Sequence, residues 1–108
     1  MPGFGDVRFS SLLANDLAEQ VAGLLGKKAA GTFNAGGAEG CSKYEFARGV
    51  AEVLGHDPGK VEERSVSSVA FAARRPRNMV MDSSKMARAS GRPLAGWTPG
   101  ELARRRAV

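Results

Sequence analysis

Apolar residues recur at helical spacing near the start of the chain, in the stretch ANDLAEQVAGLLG at positions 14–26. The repeat places four apolar residues on one side of a helix: Leu17, Val21, Leu24 and Leu25. This spacing predicts an amphipathic helix that turns its apolar side toward a core, and Gly26 predicts its end. Asp16 and Glu19, three residues apart, predict a capping box at its start.

A second helix is predicted from position 42 onward. Ser42 and Glu45 form another capping-box pair, at the spacing that satisfies two backbone N–H groups of a helix start. Apolar residues again share one side of the helix: Phe46, Val50, and Val53 or Leu54. Gly55 stands where a residue in the left-handed conformation commonly ends a helix.

Two shorter helices are predicted in the last quarter of the chain. The first begins at one of the polar residues 82–84, runs through Arg88 and ends at Gly91. The second begins with Thr98 as its N-cap and Pro99 in its first turn, where a proline lacks only an N–H that would be unpaired anyway.

Four segments are predicted to be extended, because they carry short apolar runs or alternate apolar with polar residues: 7–13, 31–37, 61–66 and 78–81. Helices and strands therefore mix along the whole chain, and no internal repeat is visible. The pattern predicts a small mixed α/β fold, with residues 1–108 as a single domain.

Composition is ordinary for a globular protein, with 43% apolar and 25% charged residues among 108. One cysteine and one histidine cannot form an internal disulfide or a structural zinc site, which fits a reducing compartment. No apolar run approaches the roughly 18 residues of a membrane span, and the start has no signal-peptide pattern. We therefore expect a cytoplasmic protein that makes no use of a membrane.

The net charge of +5 is unevenly distributed. Residues 1–54 carry five basic and six acidic groups, whereas residues 55–108 carry eleven and five. The basic surplus has two foci, which are the arginines at positions 74, 75 and 77 and the terminal arginines at 104–106. Such a surplus favours an acidic partner.

The first focus is the candidate binding site: Arg74, Arg75, Pro76, Arg77 and Asn78. Pro76 fixes its own φ and favours an extended conformation for the residue before it, so the guanidinium groups would project from a stiff loop. A guanidinium group binds phosphate through two parallel hydrogen bonds, which suits a nucleotide diphosphate or a nucleic-acid backbone. A cluster of solvated surface arginines is the other interpretation.

Three weaker patterns carry no assignment. The segment Ala35–Gly40 has the spacing G-G-x-x-G instead of the G-x-G-x-x-G of dinucleotide-binding turns, and a flexible loop is the default interpretation. Tyr44 and Arg48 fall on the second helix, as a packing tyrosine and a surface arginine would. Cys41 has no partner that would mark it as a nucleophile. We therefore assign no catalytic, cofactor-binding or metal-binding residue to this chain.

Four stretches share their order and spacing with one known family: Asn15-Asp16-Leu17-Ala18, Gly31-Thr32-Phe33-Asn34, Ser42-Lys43-Tyr44-Glu45-Phe46-Ala47, and Arg74-Arg75-Pro76-Arg77-Asn78 followed by Met81-Asp82-Ser83-Ser84-Lys85. From about Arg8 to the last helix, the chain resembles the carboxy-terminal part of the dTDP-4-dehydrorhamnose reductase family, in the extended short-chain dehydrogenase/reductase superfamily. The most specific stretch is A-R-R-P-R-N-x-x-x-D-x-x-K.

The resemblance implies the substrate-binding half of such a reductase. In that family, an amino-terminal Rossmann half holds NADPH and carries the Tyr-x-x-x-Lys proton donor. Neither a complete glycine fingerprint for the dinucleotide nor Tyr-x-x-x-Lys occurs in this sequence. The resemblance also implies that Arg75 faces the anion and that Pro76 shapes its loop, while Asp82 and Lys85 organise the turn that follows.

The expected function is therefore binding of a nucleotide sugar, such as a dTDP-sugar, by a domain that is not catalytic alone. The chain would be a truncated, split or regulatory form; whether it takes part in an enzyme is left open. It could pair with a separate Rossmann polypeptide or with itself through apolar residues left uncovered: Phe9, Leu12, Phe33 and Phe71. The alternative is a small basic nucleic-acid-binding protein, which the sequence favours less because it contains no helix-turn-helix, zinc-finger or RNA-binding aromatic motif.

Overall fold

A computed structural model describes the backbone of residues 1–106 and the side chains of residues 1–104. Helices and strands mix along the chain, which confirms the predicted α/β class. The order is β1 (Pro2–Phe4), β2 (Arg8–Ser10), α1 (Ala14–Gly26), β3 (Gly40–Ser42), α2 (Lys43–Val53), β4 (Glu62–Arg64), β5 (Asn78–Met79), α3 (Ser84–Ser90) and α4 (Pro99–Arg106). Single 3₁₀ turns lie at Pro58–Lys60 and Val66–Ser68.

The chain divides into two compact units. The first unit contains residues 1–9 and 41–79 and the segment from Thr98 onward. The second unit contains residues 10–40 and 80–97.

Short parallel strands organise the first unit. β1 pairs with β4, with Pro2 opposite Glu62, and β2 pairs with β5, with Arg8 opposite Asn78. β3 adds to the other edge of β2, giving the strand order β3-β2-β5. The buried apolar side chains of this unit lie in or beside these strands: Val7, Cys41, Val61 and Val66. The predicted extended segments 7–13, 61–66 and 78–81 therefore each contain a strand, shorter than the prediction.

Helix α2 has the ends that the sequence predicts. The Ser42 hydroxyl accepts a hydrogen bond from the Glu45 N–H at 3.0 Å, and the Glu45 carboxylate accepts one from the Ser42 N–H at 3.3 Å. At the other end Gly55 has a φ of +78°, and the His56 N–H donates to the Ala51 carbonyl at 2.8 Å. This is the Schellman arrangement, which pairs carbonyl groups that the helix leaves unpaired.

Helix α1 confirms the predicted element but reverses its predicted orientation. Its apolar residues Leu17, Val21 and Leu25 are exposed at 38%, 44% and 74%, whereas the polar residues Asp16 and Gln20 are buried. The predicted core face is therefore wrong for three of its four residues, and the fourth, Leu24, is half-buried. The predicted capping box is also wrong, because the helix begins at Ala14 and its N-cap position makes no side-chain hydrogen bond.

Hydrogen bonding explains why Gln20 can be buried against α3. Its amide nitrogen donates to the carbonyl groups of Arg92 and Pro93, at 3.3 Å and 3.0 Å. Its amide oxygen accepts from the Ser90 hydroxyl at 2.6 Å. Gly23, one turn along, lies so close to Ser90 that an added Cβ would stand 2.9 Å from its carbonyl oxygen. The second unit thus joins its two helices through satisfied polar groups and close backbone approach.

The strand predicted at 31–37 is also wrong, since the chain is irregular from 31 to 39. Its backbone donors find partners other than a neighbouring strand: the Gly36 N–H donates to the Ser83 hydroxyl at 2.8 Å, and the Ala38 N–H donates to the Ala95 carbonyl at 2.9 Å. Both helices predicted near the end of the chain are present as α3 and α4. Gly91 closes α3 with a φ of +70°, as its position predicts.

Candidate functional site

The candidate arginine loop lies in the first unit and leads into β5. Every residue from Arg74 to Asn78 is exposed. The loop borders two neighbouring cavities, of about 280 Å³ and about 240 Å³. The larger one is lined by three arginines and four apolar residues: Arg74, Arg75, Arg77, Val66, Val69, Phe71 and Ala73. Three positively charged side chains therefore border one concave surface.

Arg77 is held by an acidic partner from the start of the chain. Its guanidinium group donates to the Asp6 carboxylate at 3.2 Å. The same carboxylate accepts hydrogen bonds from the Ser65 hydroxyl at 2.5 Å and the Val66 N–H at 2.9 Å. These hydrogen bonds, together with the charge of Arg77, lower the pKa of Asp6 below its usual 3.8. Arg77 is thus an anchor of the loop, with part of its charge neutralised.

Arg75 has a different environment. Its guanidinium carbon lies over the ring of Phe71, 5.0 Å from the ring centroid. Phe71 in turn meets the ring of Phe4 edge-on, with centroids 6.1 Å apart and an interplanar angle of 74°. Arg75 and Phe71 line both cavities, and Pro76 lines the smaller, more apolar one. The Arg75 guanidinium group is therefore held against an aromatic ring at the edge of both cavities.

The remaining loop residues differ in their access to the cavities. Arg74 lines the larger cavity, and within the part of the chain whose side chains are described it makes no ion pair. Asn78 lies in β5 opposite Arg8 and lines neither of these two cavities. The structure thus places the three arginines at the larger cavity and Pro76 at the smaller one, and the fifth candidate lies in the adjoining strand.

Asp82 and Lys85 lie in the second unit, where both contact nearby backbone. The Asp82 carboxylate accepts a hydrogen bond from the Ser84 N–H at 3.0 Å, and hydrogen bonding from Ser84 lowers the pKa of Asp82. The Lys85 ammonium donates to the Thr32 carbonyl at 2.9 Å and lies 4.8 Å from the centroid of the Phe33 ring. Asp82 therefore organises the start of α3, and Lys85 holds the irregular segment 31–37.

The glycines of the segment 35–40 do not fit a dinucleotide. An added Cβ at Gly37 would stand 2.1 Å from the Ser11 carbonyl oxygen, and one at Gly36 would stand 2.9 Å from the Ser10 side chain. The close approaches that require these glycines are thus made to the chain itself, and the Gly36 N–H is taken by Ser83. The segment also lacks a preceding strand, which a phosphate-binding turn of this kind needs.

The other patterns are structural in the described chain. The Arg48 guanidinium donates to the Tyr44 hydroxyl at 3.2 Å on the exposed side of α2. Cys41 is buried, and burial, with the nearby Glu45 carboxylate, raises the pKa of its thiol to about 11. No group of His, Cys, Asp and Glu side chains among the described residues has the arrangement of a metal site. Within residues 1–106, no helix combines the length and apolar character of a membrane span.

Comparison with known proteins identifies the family. Residues 11–103 match the family described as the RmlD substrate binding domain. The chain belongs to this family. It is also 32% identical over 83 residues to a dTDP-4-keto-6-deoxy-D-glucose reductase from Streptomyces niveus. The matched region covers 77% of this chain and 29% of that protein. The predicted resemblance to dTDP-4-dehydrorhamnose reductases is therefore confirmed.

Solved structures share the fold of this RmlD-type domain. A dTDP-4-dehydrorhamnose reductase from Clostridium acetobutylicum superposes with a TM-score of 0.81 at 23% identity. One from Bacillus anthracis, in complex with NADP, superposes with a TM-score of 0.79 at 22% identity. Each match covers 96% of this chain and 36% of the other protein. The RmlD-type chain thus spans about a third of the length of these relatives.

Sequence reasoning missed the residues that support the loop of this RmlD-type domain. Phe71 stands four residues before Arg75, so an aromatic residue near the arginines was visible in the sequence. Asp6 precedes Arg77 by 71 residues, and no local pattern links the two. Family membership does not favour the alternative of a nucleic-acid-binding protein.

Proposed function

We propose that this chain binds the diphosphate of a nucleotide sugar, such as a dTDP-sugar, through Arg75 with help from Arg74. The observation that carries the proposal is the exposed Arg75 guanidinium at the edge of a cavity of about 280 Å³, in a chain that belongs to a substrate-binding family. Guanidinium groups bind phosphate oxygens through paired, charge-assisted hydrogen bonds.

The environments of the three arginines support this division of labour. Arg77 is paired with Asp6, whereas Arg74 and Arg75 have no acidic partner among the described side chains. Two guanidinium groups at one cavity match the charge of a diphosphate. Arg77 and Pro76 then shape the loop instead of binding the anion.

The chemistry of hydride transfer, in this proposal, depends on residues outside this sequence. The glycines at 36 and 37 approach their own chain, and Tyr44 is followed by Arg48 where the reductase pair would need a lysine. NADPH would then be held by another part of the family fold, on the same polypeptide or on a separate one. A reducing, cytoplasmic setting fits the single buried cysteine.

The proposal includes a protein partner, either a Rossmann polypeptide or a second copy of the chain. The candidates expected for such a contact are mostly partly covered: Phe9, Leu12 and Phe33 are half-buried, and Phe71 is 39% exposed. The side of α1 that carries Leu17, Val21 and Leu25 is more open. This apolar side is the surface we propose for the contact.

Calorimetric titration with dTDP tests the binding proposal. Replacing Arg75 by alanine should weaken binding roughly ten- to a hundred-fold, the effect of losing a pair of charge-assisted hydrogen bonds. Arg75→Lys should weaken binding nearly as much, because lysine keeps the charge and loses the fork. Arg104→Ala is the control; Arg104 pairs with Glu101 on α4 and should be silent.

Equal dTDP affinity of the wild type and Arg75→Ala would overturn the proposal. A nucleic-acid-binding protein would give the reverse pattern. Arg75→Lys would then be mild, Arg104→Ala would weaken duplex binding about as much as Arg75→Ala, and log affinity would fall steeply with log salt.

A further inference from the structure

The ring of Phe71 supports the guanidinium group of Arg75, with 5.0 Å between the guanidinium carbon and the ring centroid. We infer that Phe71 is a positioning residue, which holds Arg75 in the orientation that binds the anion. The inference rests on the proposed function of Arg75. It adds a residue whose effect on anion binding is exerted through its contact with Arg75.

The contact suits this role because it leaves the hydrogen-bond donors of Arg75 free. A cation over an aromatic face is attracted by the negative face of the ring, with no N–H group consumed. Among the side chains of residues 1–104, Arg75 makes no ion pair and no hydrogen bond, so the contact with Phe71 is what orients it. Five N–H donors then remain for phosphate oxygens.

Phe71 is itself fixed by the strands of the first unit. The edge of its ring meets Phe4, which belongs to β1, at 6.1 Å between centroids. β1 is hydrogen-bonded to β4, with Phe4 opposite Arg64. The contacts therefore form a series: β1 carries Phe4, the Phe4 ring contacts Phe71, and the Phe71 ring contacts the Arg75 guanidinium group. A long side chain that is already restricted loses less freedom when its ligand binds.

The neighbouring Arg77 shows the other way in which an arginine of this loop is oriented. Arg77 is oriented by the Asp6 carboxylate, which uses its donors and part of its charge. An acidic partner would orient Arg75 equally well but would compete with the anion for it. An aromatic ring orients a cation without that competition.

The test is dTDP titration of the 108-residue chain with a ring removed. Phe71→Leu should weaken dTDP binding by about two- to five-fold, the effect of one exposed cation–π contact. Phe71→Tyr should restore wild-type affinity, because tyrosine keeps the aromatic face. Phe46→Leu is the matched control, since Phe46 makes a similar edge-on contact with Phe9, at 5.4 Å, and neither ring lines the two cavities of the arginine loop.

A double variant separates positioning from general destabilisation. In the Arg75→Ala background, Phe71→Leu should cause no further loss of affinity, because the residue it positions is gone. An equal further loss there, or unchanged affinity in Phe71→Leu alone, would overturn the inference while leaving the role of Arg75 intact. Unchanged affinity in Arg75→Ala would overturn the proposed function and this inference together.

Discussion

At the scale of single residues, Asp6 connects distant parts of the first unit. Its carboxylate accepts from the Ser65 hydroxyl, the Val66 N–H and the Arg77 guanidinium group. These partners lie 59 to 71 residues away in the sequence. One side chain near the start of the chain therefore fixes both the turn after β4 and the arginine loop.

The first prediction concerns the acid sensitivity of this carboxylate. Because the pKa of Asp6 in the folded chain lies below 3.8, its ionised form stabilises the fold above that pH, and the stabilisation is lost as pH falls through the lowered pKa. We expect Asp6→Asn to lower the free energy of unfolding at pH 6. Between pH 6 and pH 3, the free energy of unfolding of this variant should fall by less than that of the wild type. Urea unfolding at the two pH values measures this.

Ser65→Ala provides an intermediate case for the same measurement. It removes the hydroxyl that contributes most to the lowered pKa of Asp6 and keeps the carboxylate. Its acid sensitivity should fall between those of the wild type and Asp6→Asn. Identical pH dependence in all three proteins would contradict the role assigned to Asp6.

At the scale of secondary-structure elements, α2 is defined by its own ends. The Ser42 and Glu45 pair closes one end, and Gly55, with a φ of +78°, closes the other. An added Cβ at Gly55 would meet no atom within 4 Å, so any cost of a side chain there comes from the backbone conformation alone.

Two glycine substitutions with opposite expected signs test this. Gly55→Ala should destabilise the chain by about 1–2 kcal/mol, the cost of a left-handed conformation for an L-residue. Gly26→Ala should stabilise it by about 0.5–1 kcal/mol, since Gly26 lies in α1 without a positive φ and also has empty space around it. Thermal unfolding compares the two. A change of the same sign in both would contradict the assignment of the effects to backbone conformation.

The same element-scale contrast explains which parts of the fold could be predicted. The ends of α2 follow from residues adjacent in sequence, and both were predicted correctly. The orientation of α1 depends on Gln20 finding Ser90, Arg92 and Pro93 about 70 residues later, which no local pattern reveals. An apolar stripe identifies a helix, but only long-range partners determine which side is buried.

For the candidate site, the sequence predicts an anion-binding loop of arginines, but it does not predict which arginine has which role. The arginine loop is recognisable from its composition, and Pro76 explains its stiffness. The separate roles of Arg75 and Arg77 arise from Phe71 and Asp6, and Asp6 is 71 residues from Arg77 in the sequence. Two arginines of one loop thus differ in environment because they contact different residues of the first unit.

At the scale of the whole molecule, the exposed side of α1 predicts association. Leu17, Val21 and Leu25 form a row at the spacing of one helix face, and Leu25 is 74% exposed. Covering such a row removes apolar surface from water. We expect the isolated chain to sediment above the monomer mass at high concentration, and Val21→Glu to restore the monomer with little change in stability.

Leu54→Glu is the control for this measurement. Leu54 is 50% exposed at the end of α2, so the substitution adds the same charge to a comparably open apolar position. It should leave the association unchanged. A wild-type chain that stays monomeric across the concentration range, or a Val21→Glu variant that associates as the wild type does, would contradict the assignment to α1.

The pairing of β1 with β4 also has a consequence for synthesis on the ribosome. Pro2 lies opposite Glu62, so sixty residues must be added after the first strand before its partner exists. At about 5–20 residues per second, this takes roughly 3–12 s. During that time the edges of β1 are open to incorrect pairing, and Asp6 lacks the partners that later hold the arginine loop. β1 is therefore synthesised well before the strand that completes its pairing.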